Sequence, residues 1–345
     1  MPKFLTNAAQ RLLPLASLLL VAMPAQAREA ARVPVTTDHH MHVHSPAMLE
    51  FLPIFCAALP TGKCEGEFTA PRTIDELIAA MNHAGIEHGL LVSSGYLAES
   101  AFIKPAPANG PAVLRGSNDF TVDAARAHPS RLKALIAINP LTPTALPEIE
   151  RWRADRNVAG IKLHLTNSGF DFRRSEDVAK LVAVFRAAAR NRMAILVHMR
   201  TIAPDYGRQD AEIFIRDVLP AAQGAYVQIA HAAGWGGISE HTISALGAFA
   251  DAFDRRPRAM RNVYFDLAAV IDKSNPADRQ QALAALIRRI GARHFLPASD
   301  YPFALDLRDY YERVYPTLPL SEREWRILRG NVAPYARSAS RRAIR

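Results

Sequence analysis

Cysteine is nearly missing from this 345-residue chain, which holds two, Cys56 and Cys64. That excludes a disulfide-built scaffold and a cysteine-rich zinc or iron–sulfur module. Glycine-rich phosphate loops are missing too, since neither Gly-x-Gly-x-x-Gly nor a Walker loop occurs, which weakens any nucleotide-binding reading. There are no internal repeats and no low-complexity tracts, so solenoids and disordered linkers are not expected. The net charge is +9, yet the arginines are scattered, with one small group at the end (Arg337, Arg341, Arg342, Arg345). No basic stripe is interleaved with aromatics, so no nucleic-acid partner is expected. A basic surface of this kind biases the chain towards anionic small molecules.

Long apolar runs are confined to the beginning. Lys3 and Arg11 precede or open a run from Leu12 to Met23, followed by Ala25-Gln26-Ala27. A basic start, a short apolar core and a small-residue exit make a secretory signal peptide. The run is shorter than the roughly 20 residues of a membrane span. Residues 1–27 are therefore expected to be cleaved near Ala27, leaving a periplasmic or secreted domain over 28–345 with no membrane contact. In such a compartment Cys56 and Cys64 are expected to pair, closing a short loop worth about 2–3 kcal/mol on the chain-entropy model. Their spacing does not match a zinc knuckle.

What the chain does have is alternation. Apolar strands are predicted at Val33–Thr37, Gly89–Ser94, Leu132–Asn139, Ala159–Leu165, Met193–His198, Tyr226–His231, Val263–Leu267 and His294–Ala298. Helices follow them, one opened by the capping box Thr73-Ile74-Asp75-Glu76 and stopped by Gly85, another opened by Ser321-Glu322-Arg323-Glu324. Residues 45–71 and 95–116 read as long loops after the first two strands, suited to a lid or binding role. Continuous apolar runs such as Ala194-Ile195-Leu196-Val197 suit parallel strands covered on both faces. Eight strand–helix units argue for one α/β domain, a closed (β/α)8 barrel of the TIM type, with an open doubly wound sheet as runner-up.

The polar exceptions fall at strand ends, where barrel active sites are built. Asp38-His39-His40-Met41-His42-Val43-His44 packs four of the twelve histidines into six residues. His40 and His42, two apart, share a strand face and make half a metal site. A histidine-rich surface turn is the plain alternative. Lys162 and His164 end the fourth strand, His198 the fifth and His231 the sixth, and Ser299-Asp300-Tyr301-Pro302 follows the eighth. One such residue could be a packed core histidine or a helix cap. Five strand ends of this kind are hard to assign to packing, because buried charge is costly unless paired or metal-bound.

These motifs resemble the amidohydrolase superfamily, and within it the amidohydrolase-2 group that includes aminocarboxymuconate-semialdehyde decarboxylase-type enzymes. The resemblance covers the whole mature chain, including Gly160-Ile161-Lys162-Leu163-His164 and Gly330-Asn331. It implies a divalent metal held by His40, His42, His198 and Asp300, with His231 as acid/base or substrate-polarising residue. Three imidazoles and a carboxylate suit zinc, with manganese or another ion also accommodated. Asp300 is the candidate base for a metal-activated water, and Asp38 is taken as structural. One ion is expected; some superfamily members carbamylate the fourth-strand lysine to bridge two, and Lys162 keeps that alternative open. Lys162, His164, Arg200 and Tyr301 are assigned to substrate, Arg208 and Tyr206 could add to a carboxylate subsite, and Trp235 is a candidate wall. The reading is a metal-dependent hydrolase of an amide, ester or lactone. The alternative is a non-oxidative decarboxylase of an unsaturated or aromatic acid, and the third, from another class, a non-catalytic periplasmic binding protein. The partner is a small molecule, possibly anionic, and a homo-oligomer is compatible with the sequence.

Overall fold

The apolar segments condense into eight parallel strands, each hydrogen-bonded to the next in chain order. They are β1 (Thr37–Met41), β2 (His88–Val92), β3 (Leu132–Ile138), β4 (Val158–His164), β5 (Ala194–His198), β6 (Val227–Ile229), β7 (Val263–Asp266) and β8 (Phe295–Leu296). The structure is a computed structural model and describes residues 33–337; the expected signal peptide lies outside the described residues. The sheet closes where the chain beyond β8 returns to β1. The His39 amide donates to the Pro297 carbonyl (3.0 Å), the His42 amide donates to the Tyr301 carbonyl (2.7 Å), and Met41 bridges Tyr301 in parallel. The expected (β/α)8 barrel is what forms. At Gly160 a Cβ would sit 2.0 Å from the Ala194 carbonyl oxygen, so glycine there lets β4 and β5 approach.

Helices clothe the sheet: α1 (Pro46–Ala58), α2 (Ile74–Ala84), α3 (Gly110–Ala127), α4 (Ala145–Trp152), α5 (Ser175–Arg190), α6 (Arg208–Ile213), α7 (Glu240–Arg255), α8 (Ala277–Ile290) and α9 (Glu322–Arg329). Both capping boxes are present. A large apolar layer joins helices to strands, with Leu77, Val122, Phe185, Phe249 and Leu283 fully buried. Among the described residues no helix is long and apolar enough to cross a membrane.

Three local expectations need correction. Residues 45–71 are not one irregular loop: Ser45 caps α1 by accepting from the Met48 amide, and Met48, Phe51, Leu52 and Phe55 form its buried stripe. Prolines suggested a loop, but Pro46 occupies the first turn, where no hydrogen bond is lost. α3 begins at Gly110, inside the stretch 95–116 expected to be loop, because its buried face includes polar Ser117 and Asn118, which hid the apolar period. Asn118 is satisfied by the backbone of Ala137, donating at 3.1 Å and accepting at 2.7 Å. β1 starts at Thr37 rather than Val33, so the histidine motif is itself the strand.

The tail after α9 closes one end of the barrel. Ala333 and Ala336 pack with Leu90, Val92, Leu135, Leu196 and Leu296 inside it, and the Ala333 amide donates to Nε2 of His39 (3.1 Å).

Candidate metal centre

Two of the motif histidines arrive with their tautomers fixed. Nδ1 of His42 lies 2.8 Å from the Val92 carbonyl, which can only accept, so Nδ1 carries the proton. Nδ1 of His40 lies 3.2 Å from the Asp266 carboxylate, with the same result. Each ring therefore turns a bare Nε2 inward, the form in which imidazole ligates a metal. Oδ1 of Asp300 lies 3.6 Å from Nε2 of His40 and 3.4 Å from Nε2 of His42. These three donors lie within 4.8 Å of one another, all buried. Asp300 has a left-handed backbone (φ 58°), a conformation aspartate tolerates better than most residues, and its amide donates to the His40 carbonyl (2.8 Å). Burial opposes its charge, but His40, His42 and His231 outweigh that and hold its carboxyl well below the usual range.

His198 stands beside this triad rather than in it. Its ring stacks on His164 (centroids 3.9 Å, 13°) and meets His231 edge-on at 4.9 Å. Its Nδ1 is buried and has no hydrogen-bond partner among the described residues, an orphan polar atom that a ligand would satisfy. Burial first pushes His198 and His164 well below the usual imidazole range, followed by the neighbouring histidines at His198 and by Lys162 and His231 at His164. A histidine, histidine, carboxylate set, each ring held through Nδ1 by an acceptor, together with the unpartnered imidazole of His198, fits a divalent ion.

His231 sits where β6 breaks. The expected strand through 231 stops at Ile229, and His231, Ala232 and Ala233 take φ of 55°, 49° and 66°. Three left-handed residues without glycine are strained and are held from outside. The His231 amide donates to Oδ1 of Asp266 (2.8 Å), Nδ1 donates to the Ala268 carbonyl (2.8 Å) and Tyr206 donates to the Ala233 carbonyl (2.7 Å). His231 thus also presents Nε2 as an acceptor, and burial lowers its pKa to about 4.

Lys162 is fully buried, its Nζ 2.9 Å from Nε2 of His40. Burial lowers its pKa to about 8, while Asp300 and Asp266 pull the other way. A cavity of about 1050 Å³ opens above this cluster and is lined by His40, His42, Lys162, His164, His198, Arg200, His231 and Asp300. Its walls are aromatic: Phe68 stacks on Phe303 (5.5 Å), Phe303 meets Trp235 (5.6 Å), and Trp235 meets His231 (4.7 Å). Cys56 and Cys64 are joined as expected, and their loop forms part of the rim through Leu59, Lys63 and Glu65.

Tyr301, Arg208 and Tyr206 are not in the cavity wall. Tyr301 is a core residue, and Phe303 takes the place assigned to it. Arg208 is tied to Asp251 and Glu212, and Tyr206 is buried under the β6 turn. Asp266 is the residue the sequence reading missed. It receives His40, the His231 amide, the Ala268 amide and Gln228. Burial opposes its charge, but His40 and His231 lead the groups that lower its pKa to about 2. The signal was available, since an acid ending Val263-Tyr264-Phe265-Asp266 is as anomalous as a histidine there.

Fold and site together define a barrel enzyme with a buried histidine–aspartate centre at the strand C-terminal ends. The Amidohydrolase model of the amidohydrolase-2 family matches residues 37–331, and the chain belongs to that family. No curated protein matches it. Several solved structures are similar. One is a 5-carboxyvanillate decarboxylase from Sphingomonas paucimobilis (16% identity, TM-score 0.61, 86% of this chain and 97% of that one). An amidohydrolase from Burkholderia multivorans with bound zinc gives 16% identity and TM-score 0.54, over 86% of this chain and 96% of that one. A 5-carboxyvanillate decarboxylase from Novosphingobium aromaticivorans, with manganese and 4-hydroxy-3-methoxy-5-nitrobenzoic acid, gives 14% and 0.53, over 85% and 93%. At these identities the likeness carries the fold. The family and the donor set support a divalent metal.

Proposed function

We propose that this protein is an exported, metal-dependent, non-oxidative decarboxylase of a hydroxylated aromatic or similarly planar unsaturated acid. The observation that carries the reading is a buried cation, Lys162, set among the metal-ligand candidates at the floor of an aromatic-walled cavity. A planar acid entering that cavity leaves water, brings its carboxylate to the Lys162 ammonium, and lies against an aromatic wall. Losing carbon dioxide disperses the carboxylate charge, so a site that desolvates it favours the reaction. Decarboxylases recur among the structures of this fold, and aromatic acids of that kind would lie against the wall formed by Phe68, Phe303 and Trp235. Hydrolysis of an amide, ester or lactone is the second reading, favoured by an ionised Asp300 beside His42.

His40, His42, His198 and Asp300 would hold the metal, zinc or manganese, which supplies a Lewis acid for substrate oxygens. Lys162 and Arg200 orient the anion. Arg200 reaches the rim and donates to the Trp235 carbonyl (3.3 Å). His231 handles the proton: with Nδ1 fixed on Ala268, its Nε2 takes a proton from a substrate hydroxyl or solvent. It then returns the proton to the ring carbon that carries the carboxylate. The bond to that carboxylate breaks, its electron pair restores the aromatic ring, and carbon dioxide leaves. A low pKa makes protonated His231 a willing donor. The test is a panel of hydroxybenzoic acids with metal-loaded protein, reading carbon dioxide. Turnover confined to esters, lactones or amides would overturn the proposal.

A further inference from the structure

A hydrogen-bonded chain runs from the C-terminal tail to the metal-facing ring of His40. Tyr335, on the tail that packs into the barrel, donates its hydroxyl to Oε1 of Gln228 (2.6 Å). Nε2 of Gln228 donates to Oδ2 of Asp266 (2.6 Å) and reaches the His39 carbonyl at 3.2 Å. The same Oδ2 accepts from Nδ1 of His40 (3.2 Å). An amide has an acceptor end and a donor end, and the wrong end against Asp266 would set oxygen against oxygen. The Asp266 carboxylate and the His39 carbonyl, which can only accept, therefore take the Nε2 end, and the Tyr335 hydroxyl, whose proton is held by burial first and then by Asp266, donates to the Oε1 end that is left. Its hydroxyl therefore anchors the far end of Gln228 and holds the amide against Asp266. Gln228 in turn fixes the carboxylate that sets the tautomer and aim of His40.

We propose that Tyr335 is a positioning residue for the metal centre, acting through Gln228 and Asp266, so that the tail that closes the barrel also tunes metal affinity. This rests on the metal reading of His40, His42 and Asp300, and is independent of which reaction the enzyme performs. Partners of a ligating histidine are typically worth about 10–100-fold in metal affinity, and Tyr335 stands two links further out, so the effect belongs at the low end.

The experiment measures zinc and manganese affinity by chelator competition on purified full-length protein, with no substrate present, alongside the melting temperature of the metal-free form. Tyr335→Phe keeps the ring that packs at 5.7 Å from Tyr226 and removes only the hydroxyl. We expect a loss of about tenfold in affinity, with the metal-free melting temperature unchanged. In an Asp266→Asn background the same substitution should cost nothing further, because the chain is already cut. Gln228→Met, one link nearer, should lose at least as much as Tyr335→Phe and serves if the tyrosine variant folds poorly. Unchanged affinity in these variants, or an equal loss with and without Asp266, overturns the coupling alone. A wild-type chain that takes up neither ion overturns the metal site and the coupling with it.

Discussion

Nζ of Lys162 lies 2.9 Å from Nε2 of His40, the atom His40 offers to a metal. Cation and metal therefore share one corner of the site, and their demands oppose each other. Lys162→Met, similar in length and uncharged, should bind zinc or manganese at least as tightly as the parent, because a competing positive charge has gone. Turnover of a carboxylate substrate should fall roughly 100-fold in kcat/KM, the scale of losing a buried charge partner. Metal titration and steady-state kinetics on one preparation check both halves. A variant that loses metal would make Lys162 a ligand, carbamylated or otherwise.

His44 holds the front wall. Its Nδ1 lies 2.6 Å from Ser94 Oγ and its Nε2 lies 2.8 Å from the Phe68 carbonyl, while its ring meets Phe68 edge-on at 4.7 Å. Phe68→Ala removes the stacked face, and His44→Ala releases the segment that carries it. Both should raise KM about tenfold for a planar acid with a small change in kcat, the pattern of lost uniform binding. A collapse of kcat at constant KM would place Phe68 in the chemical step instead.

The Cys56–Cys64 bond closes a rim loop of eight residues' separation. Replacing both cysteines by serine should cost about 2–3 kcal/mol of stability and raise KM, since Leu59, Lys63 and Glu65 lose their anchor. Denaturant melts with and without reductant measure the first effect. Identical melts would show that α1 holds the loop unaided.

Acid stability of the metal-free protein follows from its buried imidazoles. His39, His44 and His231 are each lowered to about 4, by burial above all. Between that value and 6.5 the unfolded chain binds more protons than the folded one, so stability is full above 6.5 and is lost as pH falls towards 4. Each such group is worth up to about 3 kcal/mol. Asp38, raised by burial to about 7, acts in the opposite sense, favouring the folded state at low pH, but is outnumbered. The melting temperature should therefore drop between pH 7 and pH 5, and bound metal should reduce the drop. A flat profile would contradict the burial of these rings.

Much of this was legible in the residues. Most strands are short apolar runs ending at a charged or ring-nitrogen side chain, with β2 and β3 running instead into Ser93 and Asn139, and period and exceptions together give barrel and site face. The cap over the cavity was not legible, because α1 and the start of α3 carry prolines and buried polar residues that imitate a loop. Asp266 was missed because it touches no substrate-facing surface and acts by orienting His40 and His231. Tyr301 was misplaced for a simpler reason. The chain reverses at Asp300 and turns the tyrosine ring into the core, leaving Phe303 at the cavity.

The central claim is that the carbon–carboxylate bond breaks and a proton takes its place. The direct measurement is turnover of a carboxyl-labelled hydroxybenzoic acid by the metal-loaded enzyme in heavy water, read by mass spectrometry. The account predicts labelled carbon dioxide, and a product carrying deuterium at the ring carbon that held the carboxylate. Loss of that signal in His231→Asn, with metal retained, would assign the proton to His231. An enzyme that releases no carbon dioxide from any such acid, yet places oxygen-18 from water into the acid it frees from an ester or lactone, would contradict it.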